Sequence, residues 1–449
     1  MNIFGSSGVR GVANDELTPS FALAVAQAAG QEFDADRAAL ACDTRRTGSM
    51  FADGVASGLA SVGCAVDRLG TLPTPGLQAY CEREGVPGVM VTASHNPPQY
   101  NGIKLIGASG VELTRDALDR VESHLDADPD LVAWDETGTA RDVDTAGRHY
   151  HDQLLAAVDR EAIADADLTV ALDPGHGAGS LTSPRFFREL GCQVLTVNSQ
   201  PDGRFPGRDP EPVEANLAEL QRLVRTTDAD GGIAHDGDAD RAIFVDETGT
   251  FVEGDAALAA LAATELDAGD VAVSAVNASQ RLVDVVDAVG ADLRLTPIGS
   301  TNIITAIREL EAEGRRVPIA GEGNGGILFP GYRIARDGAY TAARFCEQLV
   351  DQSVSELVAD FDNYHNVRHN VAYDGERERA AMLDAIERYA SAADAAVDTT
   401  DGCRLDYGDA WVLARPSGTE PVVRVYAEAR ESERASDLAQ ALTDAIRSA

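Results

Sequence analysis

The sequence predicts an α/β protein of three related mixed domains, each with a sheet between helices, followed by a smaller C-terminal α+β domain. Three observations predict it. A strand, polar turn, helix, glycine and strand recur in that order three times along the chain. Each recurrence is followed by two apolar runs that flank a polar loop, and a fourth such loop near the C-terminus lies among short strands and two helices. At 449 residues the chain has room for about three domains at ~150 residues each.

Taken in order, Phe4-Gly5-Ser6-Ser7-Gly8-Val9-Arg10-Gly11 reads as a flexible entry loop carrying one arginine. Thr18 supplies an N-cap with Pro19 at the first helical position, and the alanine-rich stretch to Gly30 reads as a helix. Ala38 to Cys42 is a strand, Asp43 to Gly48 a turn, Ser49 to Val62 a helix capped by Gly63, and Cys64 to Leu69 a second strand. Leu168 to Leu172, a helix ending at Leu190, and Gln193 to Val197 repeat the unit. Val271 to Val276, a helix to Val289, and Asp292 to Leu295 repeat it again. Strands joined through a helix predict right-handed parallel units.

The flanked loops differ in chemistry. Val89 to Val91 and Ile103 to Ile106 enclose Thr92-Ala93-Ser94-His95-Asn96-Pro97; Gly231 to Ala234 and Ala242 to Val245 enclose His235 to Arg241. Val317 to Ala320 and Ile327 to Phe329 enclose Gly321 to Gly326; Trp411 to Ala414 and Val422 to Tyr426 enclose Arg415 to Pro421. Helices from Glu376 to Ala392 and Glu431 to Arg447 complete the last domain. Joins near Ala140–Tyr150, Asp246–Gly254 and Asp360–Asn370 predict domains over 1–145, 146–247, 248–362 and 363–449.

Composition narrows the function classes. Lys+Arg is 37 against Asp+Glu 74, a net charge of -37, which argues against nucleic acid or an anionic membrane as partner. Such acidity, with lysine almost absent, reads as adaptation to a salty cytosol. The six cysteines show no C-x-x-C pair and read as reduced, mostly buried thiols. Met1 to Gly5 has no basic start, and no apolar run approaches the ~18 residues of a membrane span, so a cytoplasmic protein is expected.

Ser94 leaves a strand on a loop closed by Pro97 and Pro98, beside His95, which can orient or donate to a phosphate. Lys104, a few residues on, is the only lysine in the chain, which suggests a need for a compact, titratable amine. Asp236, Asp238 and Asp240 alternate around Gly237 and form a hard-oxygen site suited to Mg2+. Their spacing is similar to the start of an EF-hand loop, but the flanks are strand-like and no glutamate stands at the twelfth position. No histidine pair has zinc spacing, and a serine hydrolase reading lacks the G-x-S-x-G elbow. Arg415, Ser417, Gly418 and Thr419 offer guanidinium, hydroxyl and backbone donors for a phosphate, with a plain tight turn as the alternative. Glu322 and Asn324, among glycines, suit sugar hydroxyls; alone, that loop reads as a glycine-rich turn.

Over essentially its whole length the chain resembles the α-D-phosphohexomutases. The loops T-A-S-H-N-P, D-G-D-A-D-R, a sugar loop beginning G-E, and R-P-S-G-T-E-P stand in the family's order, and Phe4 to Gly11 is similar to its opening F-G-T-D-G-I-R-G. The resemblance implies four domains around a central active-site cleft and a phosphoserine at Ser94. It further implies one Mg2+ held by Ser94, Asp236, Asp238 and Asp240, and a hexose 1,6-bisphosphate intermediate that reorients and also serves as activator. Lys104, with its pKa lowered by its site so that it can act as acid or base in proton transfer, His95 and Arg10 would then be catalytic, with Arg241 adding positive charge. Glu322 and Asn324 would hold the sugar, and the Arg415 loop the phosphate that is not reacting. The partner would be a hexose phosphate and the chain a monomer or homodimer.

The sugar loop departs from the common G-E-x-S-G-H form, with Asn324 for the serine and Gly326 for the histidine. Its G-E-G-N-G-G form is similar to archaeal members read as phosphoglucosamine mutases, with phosphomannomutase or phosphoglucomutase activity as the first alternative. A non-catalytic sugar phosphate-binding protein and a Mg2+-dependent sugar phosphatase are the alternatives of other classes. The intact Ser94, aspartates and Lys104 argue against the binder. A separate phosphate-holding loop, which a hydrolase does not need, argues against the phosphatase.

Overall fold

The computed structural model describes residues 4–5, 8–361, 363–417 and 421–449. Two compact units emerge, Met1–Ala257 with Asn324–Leu357, and Leu258–Gly323 with Val358–Ala449.

In the first unit the opening sheet contains β1 (Val9–Val12), β2 (Arg37–Cys42), β3 (Ala65–Thr71), β4 (Gly88–Val91), β5 (Tyr100–Ile106) and β6 (Ala140–Asp142), in the order β1-β5-β4-β2-β3-β6. Strands β2, β3, β4 and β6 run parallel, whereas β5 is antiparallel to both β1 and β4. Helix Pro19–Phe33 starts as read, because Thr18 accepts the Phe21 N–H at 3.2 Å. It packs with helix Gly48–Ser61 on a core of Val25, Leu40, Phe51, Leu59, Val89, Val91 and Leu105. Each such side chain contributes about 1.5–3 kcal/mol on burial.

A second sheet follows, with β7 (Thr169–Asp173), β8 (Gln193–Thr196), β9 (Gly231–Ala234), β10 (Ile243–Val245) and β11 (Phe251–Val252), in the order β11-β10-β9-β7-β8. The run β10-β9-β7-β8 reproduces β5-β4-β2-β3 strand for strand, with the same parallel and antiparallel pairs. In the second unit β12 (Val271–Ala275) pairs in parallel with β13 (Asp292–Thr296) and with β14 (Ala320–Glu322), a third copy of the parallel trio. The chain then returns to the first unit through the hairpin β15 (Gly326–Phe329) and β16 (Arg333–Arg336).

The C-terminal sheet of the second unit is antiparallel throughout, β17 (His365–Ala372), β18 (Ala396–Asp398), β19 (Cys403–Asp406), β20 (Ala410–Pro416) and β21 (Val422–Ala429), in the order β17-β21-β20-β19-β18. Helices Glu376–Ala392 and Ser432–Arg447 cover it. Three α/β domains plus a smaller α+β domain is the architecture read from the repeats.

One reading changes. The entry loop is strand from Val9 onward, because β5 offers an edge and Val9 enters the core; Ser6 and Ser7 lie outside the described residues. The stretches read as joins contain strand β6, strand β11 and the start of β17. All six cysteines are free, five of them buried. Among the described residues no helix is long and apolar enough to cross a membrane.

Candidate active site

Ser94 stands just beyond β4 with φ +51°, a left-handed conformation that the surrounding loop must enforce. Arg45, fully buried, provides that enforcement. Its guanidinium donates to the carbonyls of Ser94 (2.9 Å), Asn96 (2.6 Å), Pro97 (2.7 Å) and Tyr100 (3.0 Å), and its Nε donates to Asp43 Oδ2 at 3.0 Å. Asp43 also accepts from Thr92 Oγ1 at 2.7 Å, and Thr92 Oγ1 in turn accepts the Ser94 N–H at 2.8 Å. A loop of backbone acceptors is thus tied to one buried ion pair.

The aspartates come from the turn between β9 and β10, in the second sheet's copy of the serine-loop position. Gly237 lets that turn reach the serine loop, since a Cβ there would stand 2.5 Å from the Ser94 carbonyl oxygen. Ser94 Oγ donates to Asp236 Oδ2 at 2.6 Å. The ligand oxygens of Asp236, Asp238 and Asp240 lie within 4.8 Å of one another, and all three residues are buried. Lys104, on β5, donates through Nζ to Asp238 Oδ2 at 2.7 Å and to Asp240 Oδ2 at 3.0 Å. Thr74 Oγ1 adds 2.6 Å to Asp238 Oδ2, and Arg336 lies 2.7 Å from Asp240 Oδ2.

Burial and neighbouring carboxylates push Asp236 up to about 7. Burial also opposes ionisation of Asp238 and Asp240, but Lys104 beside Asp238, and Arg336 with Lys104 beside Asp240, hold both below the usual carboxylate range. Three buried carboxylates of which one resists ionisation fit a site for a hard cation. Asp238 Oδ1 and Asp240 Oδ1 fit it too, being buried without a hydrogen-bond partner.

Lys104 departs from the sequence reading in one respect. Burial alone would lower its pKa, yet Asp238 and Asp240 outweigh burial and raise it. His95, half-buried, accepts at Nδ1 from Arg241 Nη2 at 2.9 Å, and Arg241 first and burial second depress its pKa, leaving a neutral imidazole. Arg10 donates to Asn96 Oδ1 at 3.0 Å, and burial followed by Arg241 lowers its pKa to about 10. Arg241 Nε lies 3.7 Å from Asp236 Oδ2.

The first unit therefore brings together Ser94, His95, Lys104, Arg10, Arg241 and the three aspartates. Asn324 opens the returning segment, where its Oδ1 accepts the Gly326 N–H at 3.0 Å and Gly325 O accepts the Ala242 N–H at 3.1 Å. Glu322 belongs to the second unit, buried at the end of β14. There too Arg415, the penultimate residue of β20, has Nε 3.0 Å from Asp401 Oδ2, and the Ser417 N–H donates to Val422 O at 2.8 Å. Gly418 and Thr419 lie outside the described residues.

Sequence reasoning missed Arg45, Asp43, Thr74, Arg336 and Arg424, the last directly opposite Arg415 across the hairpin. Like charges directly opposite one another oppose pairing. A signal for the first two existed. Asp173, at the end of β7, corresponds to Asp43 after β2, and it too holds a buried arginine, Arg208 (3.0 Å), which donates to the His235 carbonyl at 2.6 Å.

Residues 1–130, 148–249, 253–364 and 370–445 match, in turn, family models described as phosphoglucomutase/phosphomannomutase α/β/α domains I, II and III and the C-terminal domain. A phosphoglucomutase/phosphomannomutase of Thermococcus kodakarensis is 39% identical over 448 residues, covering 97% of this chain and 96% of its own. A probable phosphoglucosamine mutase of Methanopyrus kandleri is 39% identical over 450 residues, covering 99% and 97%. The crystal structure of a phosphoglucomutase/phosphomannomutase family protein from Burkholderia thailandensis matches with a TM-score of 0.87 at 26% identity, covering 99% and 97%. Four domains matched in order, and relatives aligned end to end, establish that the chain belongs to the α-D-phosphohexomutase family, isomerases that work by phosphate transfer.

Proposed function

We propose that the enzyme interconverts hexose 1-phosphate and hexose 6-phosphate through a phosphorylated Ser94 and a hexose 1,6-bisphosphate, with glucosamine phosphate as the preferred substrate. The observation that carries this reading is the 2.6 Å hydrogen bond from Ser94 Oγ to Asp236, within a buried carboxylate triad that has two unpartnered oxygens. Ser94, Asp236, Asp238 and Asp240 would hold one Mg2+, whose chemistry is to neutralise charge on the transferred phosphoryl group and on the departing serine oxygen.

In the forward half-reaction the free hydroxyl of the sugar phosphate attacks the phosphorus on Ser94; the new P–O bond forms as the P–Oγ bond breaks, and the proton the hydroxyl gives up is balanced by the one the departing Ser94 Oγ takes to become the hydroxyl that donates to Asp236. After the bisphosphate turns, the other phosphate returns to Ser94. Arg45 keeps Ser94 aimed, and Lys104 places a positive charge between Asp238 and Asp240. Arg10 and Arg241 draw an anionic substrate into an acidic protein, and neutral His95 offers a phosphate contact. Arg415, Ser417, Gly418 and Thr419, with Arg424, hold the phosphate that is not reacting, while Glu322 and Asn324 hold sugar hydroxyls.

Support for glucosamine comes from the G-E-G-N-G-G loop and from the name of the Methanopyrus kandleri relative. The Thermococcus kodakarensis relative's name favours glucose or mannose phosphate as the second reading. The test is to incubate the protein with Mg2+, a trace of hexose 1,6-bisphosphate and, separately, glucosamine, glucose or mannose 1-phosphate. Isomerisation supports a mutase and ranks the sugars; release of free phosphate makes it a phosphatase, and neither makes it a binder. Ser94→Ala is expected to bind sugar phosphate without exchanging phosphate, and preserved exchange would remove Ser94 as the carrier.

A further inference from the structure

Arg336 approaches the aspartates from β16, a strand to which the sequence assigned no function. Its backbone pairs with Leu328 on β15, and its side chain runs over Gly326 at the start of that strand. A Cβ at Gly326 would stand 2.7 Å from Arg336 Cδ and 3.4 Å from Nη1, so a side chain at 326 and Arg336 in this position exclude one another. Beyond Gly326 the guanidinium Nη2 lies 2.7 Å from Asp240 Oδ2, with Glu112 Oε1 at 3.7 Å on its flank. Lys104 Nζ meets that same Asp240 oxygen at 3.0 Å.

Two buried cations therefore grip one oxygen of Asp240. The other, Oδ1, is buried with no hydrogen-bond partner, and Arg241 Nε, at 3.9 Å, is too distant to supply one. Asp238 is divided in the same way, with Lys104 and Thr74 on Oδ2 and nothing hydrogen-bonded to Oδ1. A carboxylate pinned through one oxygen can turn only about that contact, and its second oxygen is presented in a fixed direction.

We propose that Arg336 is a positioning residue for the metal site, holding Asp240 through Oδ2 so that Oδ1 is presented to the ion, and that residue 326 is glycine because the stem of Arg336 fills the space a side chain would need. The inference rests on the reading that the triad holds a divalent cation. It has a distinctive sign. A guanidinium acting only through its charge repels a divalent cation, so its removal would tighten metal binding; a guanidinium that positions a ligand loosens binding when removed.

The experiment is a titration of dephosphorylated protein with Mn2+, followed by electron paramagnetic resonance of the free ion, for wild type, Arg336→Met, Arg336→Lys and Gly326→Ala. Arg336→Met and Gly326→Ala are each expected to weaken Mn2+ binding by about tenfold or more, the range typical of lost outer partners of a metal ligand. Arg336→Lys, which keeps one donor for Asp240, is expected to recover part of that loss. If Arg336→Met fails to fold, Gly326→Ala carries the test, because it keeps the charge and only displaces the side chain. Binding by the variants that equals or exceeds wild type overturns the positioning role. Absence of Mn2+ binding in wild type overturns the metal reading itself, a distinct outcome.

Discussion

Lys104 Nζ lies 2.7 Å from Asp238 Oδ2, and both side chains are buried. Removing one partner of such a pair strands the other, at a cost of about 3–5 kcal/mol. Lys104→Met is therefore expected to lower the thermal unfolding midpoint of the metal-free protein, with Mg2+ recovering part of the loss. Lys104→Arg keeps the charge but brings a planar fork into a space built around a point amine. It is expected to retain phosphate on Ser94, read by mass spectrometry, while turnover falls at least about tenfold. Near-normal turnover in that variant would show that a compact amine is not required.

Gly237 sets the distance between the serine and metal loops. With a Cβ expected 2.5 Å from the Ser94 carbonyl oxygen, Gly237→Ala must push the loops apart. Misplacement of a reacting group by ~1 Å costs on the order of 100-fold in rate. A kcat reduced to that extent, with an unchanged circular dichroism spectrum, is the expected result. An unaltered kcat would mean that the loops have room to adjust.

Mg2+ should stabilise the folded chain, because only the folded state assembles the triad. At a free concentration of 100 times Kd, linkage gives about 2.7 kcal/mol. Differential scanning fluorimetry is expected to show a melting temperature that rises with Mg2+ and falls back with chelator. Asp238→Asn is expected to lose most of the rise; a full rise in that variant would place the ion elsewhere.

With a net charge of -37, the folded chain repels itself at low ionic strength. Screening tightens from about 10 Å at 0.1 M salt to about 3 Å at 1 M. The melting temperature is expected to climb as KCl is raised across that range, and a flat or falling curve would refute adaptation to high salt.

What was legible in the sequence was local. The parallel strand pairs were read to within a residue or two because apolar runs, glycine caps and helix lengths carry them, and helix Glu376–Ala392 was read at its observed ends. Ser94 stood out by its loop at a strand end, and the three aspartates by their alternation around Gly237. Thr74, 164 positions from Asp238, did not, because no local pattern encodes a contact across that distance. Nor does the run Arg333-Ile334-Ala335-Arg336 show that its last arginine reaches the triad. The direction of the Lys104 shift was hidden for the same reason: the carboxylates that raise it were recognisable as metal ligands, but not as neighbours of the lysine.

The uniqueness of Lys104 has an experimental consequence. Its amine is buried and held by two carboxylates, so the folded chain presents no lysine side chain, among its described residues, to amine-directed reagents. Any acylation of a lysine can report only one event, the opening of this one pocket. The rate of that single modification is a clock for how often the site breathes, readable as the mass added at Lys104.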